Sequence, residues 1–233
     1  MNKPKKLIIW DFDGVIADSE HLWVQNWLNA LNLFKNIRLS ATEEEYYIRG
    51  KADKTKVELL QRDFPNLQFE DEFWNYLKEN EIRLIDSQLE LTPNIERIFA
   101  DTRFAHCIAT GATEAKNLRK IEKLQLQKYF GPHNMFTAYD VKYGKPEPDL
   151  FLYAASKMGY APNDCIVIED SLVGITAAVR AQIPVIAYIG ATGNNNDEYA
   201  EKCHKAGARN VVSTMTEVYN LLHQFIQRRE QHE

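Results

Sequence analysis

Two aspartates that follow a short apolar run are the residues best placed to do chemistry in this chain. Asp11 and Asp13 come directly after Leu7-Ile8-Ile9-Trp10, a run too short for a helix and typical of a buried strand. If the strand pleat continues, both carboxylates point to one side, and Gly14 then allows a sharp turn. Buried carboxylates repel each other unless a cation or a difference in protonation offsets the repulsion. The pattern therefore predicts a nucleophile, an acid and a metal site at this strand end.

Three later segments also place polar residues where a strand should end. Thr110-Gly111 follows a predicted strand over residues 104–110, and the amides at the start of the next helix favour an anion. Lys145 lies in a proline-containing loop, and Glu169-Asp170-Ser171 follows an apolar run. Each segment alone is also explained as a helix cap or a solvated charge. Together with the first strand, however, they suit a phosphate and a divalent cation.

The elements that must position these residues form an alternating pattern. From residue 92 onward strands and helices alternate, which predicts an α/β fold with a doubly wound, mostly parallel, Rossmann-like sheet. Ligands of such sheets bind at the carboxyl ends of the strands. Residues 18–86 carry only helical patterns and are predicted to form a helical cap domain, inserted into a catalytic core of residues 1–17 and 87–233. Within the core we expect a helix starting at Thr92-Pro93 and a strand over residues 135–139.

Composition, net charge and motifs indicate which partners, cellular location and enzyme classes fit this sequence. The 233 residues can bury a sizeable core, and the net charge of −5 argues against nucleic acid as a partner. We expect no membrane partner, because no apolar stretch is long enough to span a bilayer. The three scattered cysteines predict reduced thiols and a cytoplasmic location. A dinucleotide-binding enzyme fits poorly, because no Gly-x-Gly-x-x-Gly follows the first strand.

In these four segments the chain resembles the haloacid dehalogenase superfamily, in its phosphotransferase branch. Asp11-Phe-Asp-Gly-Val-Ile-Ala-Asp is similar to the first family motif and Thr110 to the second. Lys145, with the prolines that follow it, is similar to the third motif, and Glu169-Asp170-Ser171 to the fourth. A helical cap inserted directly after the first motif resembles the subgroup that contains β-phosphoglucomutase and many sugar-phosphate phosphatases.

The resemblance implies a role for each motif residue. It makes Asp11 the nucleophile and Asp13 the general acid/base, while Thr110, Lys145 and the amide of Gly111 hold the transferred phosphoryl group.

The resemblance also implies a Mg²⁺ site. Its ligands would be the Asp11 carboxylate, the main-chain carbonyl of Asp13 and the Asp170 carboxylate, with Glu169 in support. Hard oxygen ligands of this kind suit Mg²⁺ better than a soft metal.

Substrate specificity is expected to lie in the cap. Its most basic segment covers residues 49–56, where Arg49 and Lys51 are candidates for binding a second anionic group of the substrate. Glu20, just after the first motif, is a candidate for contacting substrate hydroxyls.

The predicted function is that of a Mg²⁺-dependent phosphatase. It would hydrolyse a small phosphorylated metabolite, such as a sugar phosphate or a similar phosphomonoester, through an aspartyl-phosphate, as a monomer or homodimer. One alternative is a sugar-phosphate mutase, although mutases of this type carry a histidine where this chain has Trp23. A second alternative, of another class, is a non-catalytic binding protein on the same fold.

Overall fold

The computed structural model describes residue 4, residues 6–51 and residues 53–230. The chain forms two compact units: Met1–Asp18 with Glu90–Glu233, and Ser19–Leu89. At the junction, both connecting segments are tied within the first unit. The Thr92 amide donates to the Ile16 carbonyl at 2.9 Å, its hydroxyl donates to the Val15 carbonyl at 2.7 Å, and Ala17 pairs with Leu91. The two connecting segments therefore run side by side.

The smaller unit is helical in its described residues. Its helices are α1 (Glu20–Lys35), α2 (Ala41–Tyr47), α3 (Asp53–Asp63) and α4 (Asp71–Gln88). The Ser40 hydroxyl accepts from the Glu43 amide, and the Glu43 carboxylate accepts from the Ser40 amide, so a capping box starts α2. Trp27 packs edge-on against Phe73 with ring centroids 5.3 Å apart. Aromatic residues of α1 and α4 thus pack together in the core of this unit, which also contains aliphatic side chains and residues of α2 and α3.

The larger unit is built on a six-stranded parallel sheet in the order β3-β2-β1-β4-β5-β6. The strands are β1 (Lys6–Trp10), β2 (Phe104–Thr110), β3 (Met135–Thr137), β4 (Cys165–Glu169), β5 (Val185–Tyr188) and β6 (Asn210–Val212). Strands β1 and β4 are buried throughout, because helices cover both faces of a sheet of this kind. The predicted α/β fold with a doubly wound parallel sheet is confirmed.

The helices between the strands are α5 (Glu96–Phe99), α6 (Glu114–Lys123), α7 (Asp149–Met158), α8 (Leu172–Arg180) and α9 (Asp197–Lys205), and α10 (Met215–Glu230) follows β6. Among the described residues, none of the helices has the length and apolarity that crossing a membrane requires. The helix expected from Thr92-Pro93 starts only at Glu96, because Thr92 is bonded to the segment that follows β1.

The strand expected over residues 135–139 ends at Thr137. The Thr137 amide donates to the Asp140 carboxylate at 2.6 Å, and residues 138–140 turn into a short 3-10 segment. Side-chain hydrogen bonding of this kind competes with the strand ladder.

The register of the sheet determines which strand ends are neighbours. Trp10 pairs with Ile168, and the Asp11 amide donates to the Ile168 carbonyl at 3.0 Å. The chain builds the sheet outward from β1 through β2 to β3, then returns to add β4 on the other side of β1. Ligand crevices of doubly wound sheets form at such a reversal, at the carboxyl ends of the strands. Asp11 and Glu169 are therefore brought to this crevice by the topology alone.

Candidate active site

Three of the predicted site residues are in direct contact. The Lys145 ammonium lies 2.5 Å from Asp11 Oδ1 and 3.0 Å from Glu169 Oε2. The side chains of Lys145 and Asp11 are 10% and 11% exposed, and that of Glu169 is 1% exposed. Ion pairs in such shielded positions are strong only when their hydrogen bonds are well made, as they are here. The lysine thus bridges the ends of β1 and β4.

The shielding of this cluster shifts the protonation of its members. Burial raises the pKa of Asp11 to about 7, and the negative charge of Glu169 adds to the increase, while Lys145 opposes it. Burial lowers the pKa of Lys145, but Asp11 and Glu169 outweigh it and hold that pKa above its ordinary value. Lys145 is therefore cationic at neutral pH, and Asp11 needs further positive charge nearby to stay fully ionised.

A group of three carboxylates could supply the ligands for such a charge. Asp11, Glu169 and Asp170 are buried, and each offers one oxygen that lies within 4.8 Å of the other two. Asp170 lies against the Gly14 main chain: a Cβ at Gly14 would be 2.0 Å from Asp170 Oδ2. The donor set consists of carboxylate oxygens, which is what a hard divalent cation such as Mg²⁺ requires. The residues present therefore fit the metal that the resemblance implies.

The turn after β4 holds Glu169 in place. The Ser171 hydroxyl donates to Glu169 Oε1, and the Ser171 side chain also accepts from the Gly174 amide at 3.1 Å, which caps α8. A Cβ at Gly174 would be 1.9 Å from Glu169 Oε1. With Oε1 engaged by Ser171, Glu169 presents Oε2 to Lys145. Glu169 thus supports the cluster from a fixed position.

Asp13 lies in the turn after β1 but makes a different contact. Gly14 has φ +83° and its amide donates to the Ala17 carbonyl at 2.7 Å, which closes the turn. Both Asp13 carboxylate oxygens accept from Lys120 Nζ, at 2.7 and 2.5 Å. The Asp13 carboxylate lies outside the three-carboxylate group, and the ligand predicted from this residue is its main-chain carbonyl.

Lys120 was not predicted from the sequence. It lies on α6, on the buried side that also carries Asn117 and Ile121, and its side chain is 0% exposed. A lysine at the i+3 position of a buried helix stripe is unusual, because lysine is rarely buried without a partner. The position of this lysine on the buried side of the helix is the sequence feature from which its role could have been predicted.

Thr110 and Gly111 end β2 at the same edge of the sheet. Thr110 is buried, and its hydroxyl oxygen lies 3.3 Å from the Ala112 amide, which donates to it. The Asn117 amide group donates to the carbonyls of Ala112 and Thr113 and so fixes the loop. In the described part of the chain, no heavy atom outside the neighbouring residues lies within 4 Å of where a Cβ at Gly111 would be, so the main chain there is open to a ligand.

The three candidate residues in the helical unit lie close together within it. Glu20 Oε1 accepts from the Gly50 amide at 2.7 Å. Lys51 donates to the Glu45 carbonyl at 2.8 Å, and burial lowers its pKa. Arg49 is paired with Glu44 at 2.5 Å, but its Nη1 is buried with no hydrogen-bond partner among the described residues. Their role in substrate binding stays a prediction.

Comparison with known proteins identifies relatives along most of the chain. A 6-phosphogluconate phosphatase from Escherichia coli K12 is 24% identical over 183 residues, which cover 78% of this chain and 81% of the relative. A β-phosphoglucomutase from Bacillus subtilis is 26% identical over 197 residues, covering 76% of this chain and 80% of the relative. The alignments with both relatives extend over most of their lengths.

A solved haloacid dehalogenase-like protein from Agrobacterium tumefaciens has the same fold. It superposes with a TM-score of 0.82 at 24% identity, and the match covers 95% of this chain and 99% of that one. The family model described as haloacid dehalogenase-like hydrolase matches residues 8–188, a range that begins within β1, contains β2 through β5 and includes all four strand-end motifs. The chain therefore belongs to the haloacid dehalogenase-like hydrolase family.

Proposed function

We propose that this protein is a Mg²⁺-dependent phosphatase that hydrolyses small phosphomonoesters, with Asp11 as the nucleophile. The observation that carries the proposal is the contact of Lys145 with both Asp11 and Glu169, beside Asp170, at the carboxyl ends of β1 and β4. A structural role gives little reason to concentrate three shielded carboxylates and one lysine at a strand edge. Transfer of a phosphoryl group to a carboxylate requires such a group of charges, with one carboxylate as the nucleophile and the others near the metal.

The charges at the site match the main difficulty of that reaction. A carboxylate that approaches a phosphate oxygen to about 4 Å is opposed by roughly 4 kcal/mol per pair of unit charges at an effective dielectric near 20. Lys145 already contacts Asp11 and offsets part of this repulsion. A Mg²⁺ ion held by Asp11, Asp170 and the Asp13 carbonyl, with Glu169 in support, would supply the remaining positive charge.

The reaction then divides into two steps at Asp11. In the first, an Asp11 oxygen attacks phosphorus, the bond to the ester oxygen breaks, and Asp13 gives that oxygen a proton. In the second, water attacks phosphorus and passes a proton to Asp13, while the bond to Asp11 breaks. The Thr110 hydroxyl and the Gly111 amide donate to the phosphoryl oxygens, on which negative charge is spread.

The relatives and the helical unit support a small phosphorylated sugar as the substrate class. The E. coli relative is named for 6-phosphogluconate, a sugar acid phosphate. In the helical unit Arg49 lines a cavity of about 470 Å³, a size that suits a small metabolite. We propose that the unit acts as a cap, in which Arg49 and Lys51 bind a second anionic group and Glu20 contacts hydroxyls.

We propose that the protein works in the cytoplasm. All three cysteines are buried and none is in a disulfide, which suits a reducing compartment.

A mutase remains the second candidate, because the B. subtilis relative is a β-phosphoglucomutase. A product assay on glucose 1-phosphate separates the two activities. Release of inorganic phosphate indicates hydrolysis, and formation of glucose 6-phosphate without phosphate release indicates a mutase. Trp23, in the place where the resemblance puts a mutase histidine, favours hydrolysis.

The test of the proposal is a screen of the purified protein against phosphorylated metabolites with Mg²⁺, measuring inorganic phosphate. We expect release from at least one sugar or sugar-acid phosphate. Asp11→Asn should abolish it while the far-ultraviolet circular dichroism spectrum stays unchanged. An active, folded Asp11→Asn protein would refute the nucleophile. Lack of Mg²⁺-stimulated cleavage of any phosphomonoester would favour the non-catalytic alternative.

A further inference from the structure

The contact between Lys120 and Asp13 joins a fully buried helix residue to the turn after the first strand. The Lys120 side chain is 0% exposed and that of Asp13 is 23% exposed. The ammonium donates to both carboxylate oxygens of Asp13 and lies 4.8 Å from the centroid of the Phe12 ring. The two residues are 107 positions apart in the sequence. The pair therefore ties α6 to the turn that carries the acid/base candidate.

A structural explanation of this pair is incomplete. Burying an ammonium is costly, and a hydrophobic side chain at the same position of α6 would pack without that cost. The Asp13 carboxylate, at 23% exposure, is also partly solvated without a lysine. What the pair supplies is geometry: two hydrogen bonds to the two oxygens of one carboxylate fix the position of that group. A solvated aspartate in a glycine turn would instead sample several rotamers.

We propose that Lys120 is a positioning residue that holds the Asp13 carboxylate in the orientation needed for proton transfer. This inference rests on the proposed phosphatase function. Lys120 keeps its own protons throughout: it donates hydrogen bonds, while the proton moves between Asp13 and the ester or water oxygen. The residue thus acts through Asp13 and does not touch the substrate.

The first test uses two kinds of leaving group. A sugar alkoxide needs a proton as it leaves, whereas nitrophenolate leaves unaided, so the phosphoenzyme step with p-nitrophenyl phosphate does not depend on Asp13. We expect Lys120→Met to lower kcat on the sugar phosphate by about tenfold to a hundredfold, the usual cost of a misplaced group. The pre-steady-state burst of nitrophenolate should stay intact. Lys123→Met, an exposed lysine on the same helix, is the matched control. Equal activities of the Lys120→Met and Lys123→Met variants would overturn the proposal.

A double-mutant cycle separates positioning from a general effect on folding. If Lys120 acts through Asp13, then Lys120→Met should change the residual activity of Asp13→Asn by no more than about twofold. Losses that multiply in the double variant would contradict the proposal. If Lys120→Met does not accumulate as folded protein, Lys120→Gln is measured against the same criteria.

A second readout requires neither metal nor activity. In EDTA, Asp13→Asn should lower the thermal midpoint because it leaves the Lys120 charge without its carboxylate partner, and Lys120→Met in the same chain should restore part of the loss. Independent effects on the midpoint would refute the pairing. Should the unchanged protein hydrolyse no phosphomonoester, the proposed function fails, whereas this cycle still decides whether the pair exists.

Discussion

Lys145 Nζ lies 2.5 Å from Asp11 Oδ1, although 134 positions separate the two residues in the sequence. The same ammonium lies 3.0 Å from Glu169 and 5.0 Å from the centroid of the Phe151 ring. Shielded from water on all these sides, Lys145 is the cation that lets two carboxylates share one strand edge. The same contacts therefore affect both the stability of the folded protein and the rate of the reaction, and both can be measured.

Replacing Lys145 by Met should remove this cation and lower kcat by about a hundredfold to a thousandfold, the usual cost of losing a charge-stabilising donor. Steady-state hydrolysis of the best substrate measures the effect. Lys142→Met, an exposed lysine in the same loop, is the control and should stay close to the unchanged protein. A Lys145→Met enzyme with ordinary kcat would show that the contact with Asp11 is not used in the reaction.

Removal of the metal should abolish turnover and lower stability together. If Mg²⁺ binds only the folded protein, saturation to about a hundred times its dissociation constant adds about 2.7 kcal/mol of stability. Differential scanning calorimetry with Mg²⁺ and with EDTA measures the shift in the midpoint. Asp170→Asn should lose most of it, and Asp197→Asn, an exposed aspartate at the start of α9, should keep it. An equal shift in both variants would place the metal elsewhere.

Two glycines with positive φ distinguish backbone strain from damage to the site. Gly14 has φ +83° and Gly50 has φ +66°, so an alanine at either position costs about 1 kcal/mol of strain or more. At Gly14 the added Cβ would collide with Asp170, whereas at Gly50 no atom of the described residues beyond the neighbouring ones lies within 4 Å. Gly14→Ala should therefore weaken Mg²⁺ binding, measured by isothermal titration, while Gly50→Ala should leave it unchanged. Equal Mg²⁺ affinities in the two variants would contradict the placement of Asp170.

His106 should make the fold sensitive to acid. Burial lowers the pKa of His106 from 6.5 to about 4, and its Nδ1 accepts from the Trp10 indole at 3.2 Å, a bond that protonation of Nδ1 would break. Above pH 6.5 the histidine is neutral in both states and its contribution to stability is fully present. Between about pH 6.5 and pH 4, His106 is protonated in the unfolded chain but neutral in the folded protein. The free energy of unfolding therefore falls as the pH falls.

The loss should total at most about 3.5 kcal/mol, because each unit of pKa shift is worth about 1.4 kcal/mol. Urea unfolding across this pH range measures it. His106→Gln should flatten the acid limb of the profile, and His133→Gln, at an exposed position, should not. A profile identical in both variants would mean that His106 does not resist protonation.

The residues at the strand ends could be predicted because short apolar runs and helical periodicity mark where the strands and helices lie. Apolar runs bounded by helical patterns indicate parallel strands, and all parallel strands end at one edge, so the positions of Asp11 and Glu169 follow from topology. Lys145 lies in the loop after β3 and reaches both carboxylates with its side chain. The range of β2, Phe104–Thr110, agrees with the predicted strand over residues 104–110 for the same reason, since its apolar run is unambiguous.

Other features could not be predicted from pattern alone. Helix α9 carries a short polar sequence in which only Cys203 is buried, so its periodicity gives almost no signal. The roles of Lys120 and His106 are visible only in the folded structure, because the sequence alone does not show whether a polar residue is buried or which residues surround it. The early end of β3 depends on the Asp140 carboxylate, whose hydrogen bond to Thr137 competes with the strand.

If the Asp11 carboxylate takes the phosphoryl group from the substrate, the covalent intermediate can be trapped on this residue. The protein is mixed with Mg²⁺ and its best phosphomonoester substrate, quenched in acid within one turnover, and its proteolytic peptides are weighed. We expect the peptide containing Asp11 to gain the mass of one phosphoryl group, and the gain to disappear in Asp11→Asn. A protein that turns over while this peptide stays unmodified, or that carries the group on another residue, would exclude Asp11 as the nucleophile.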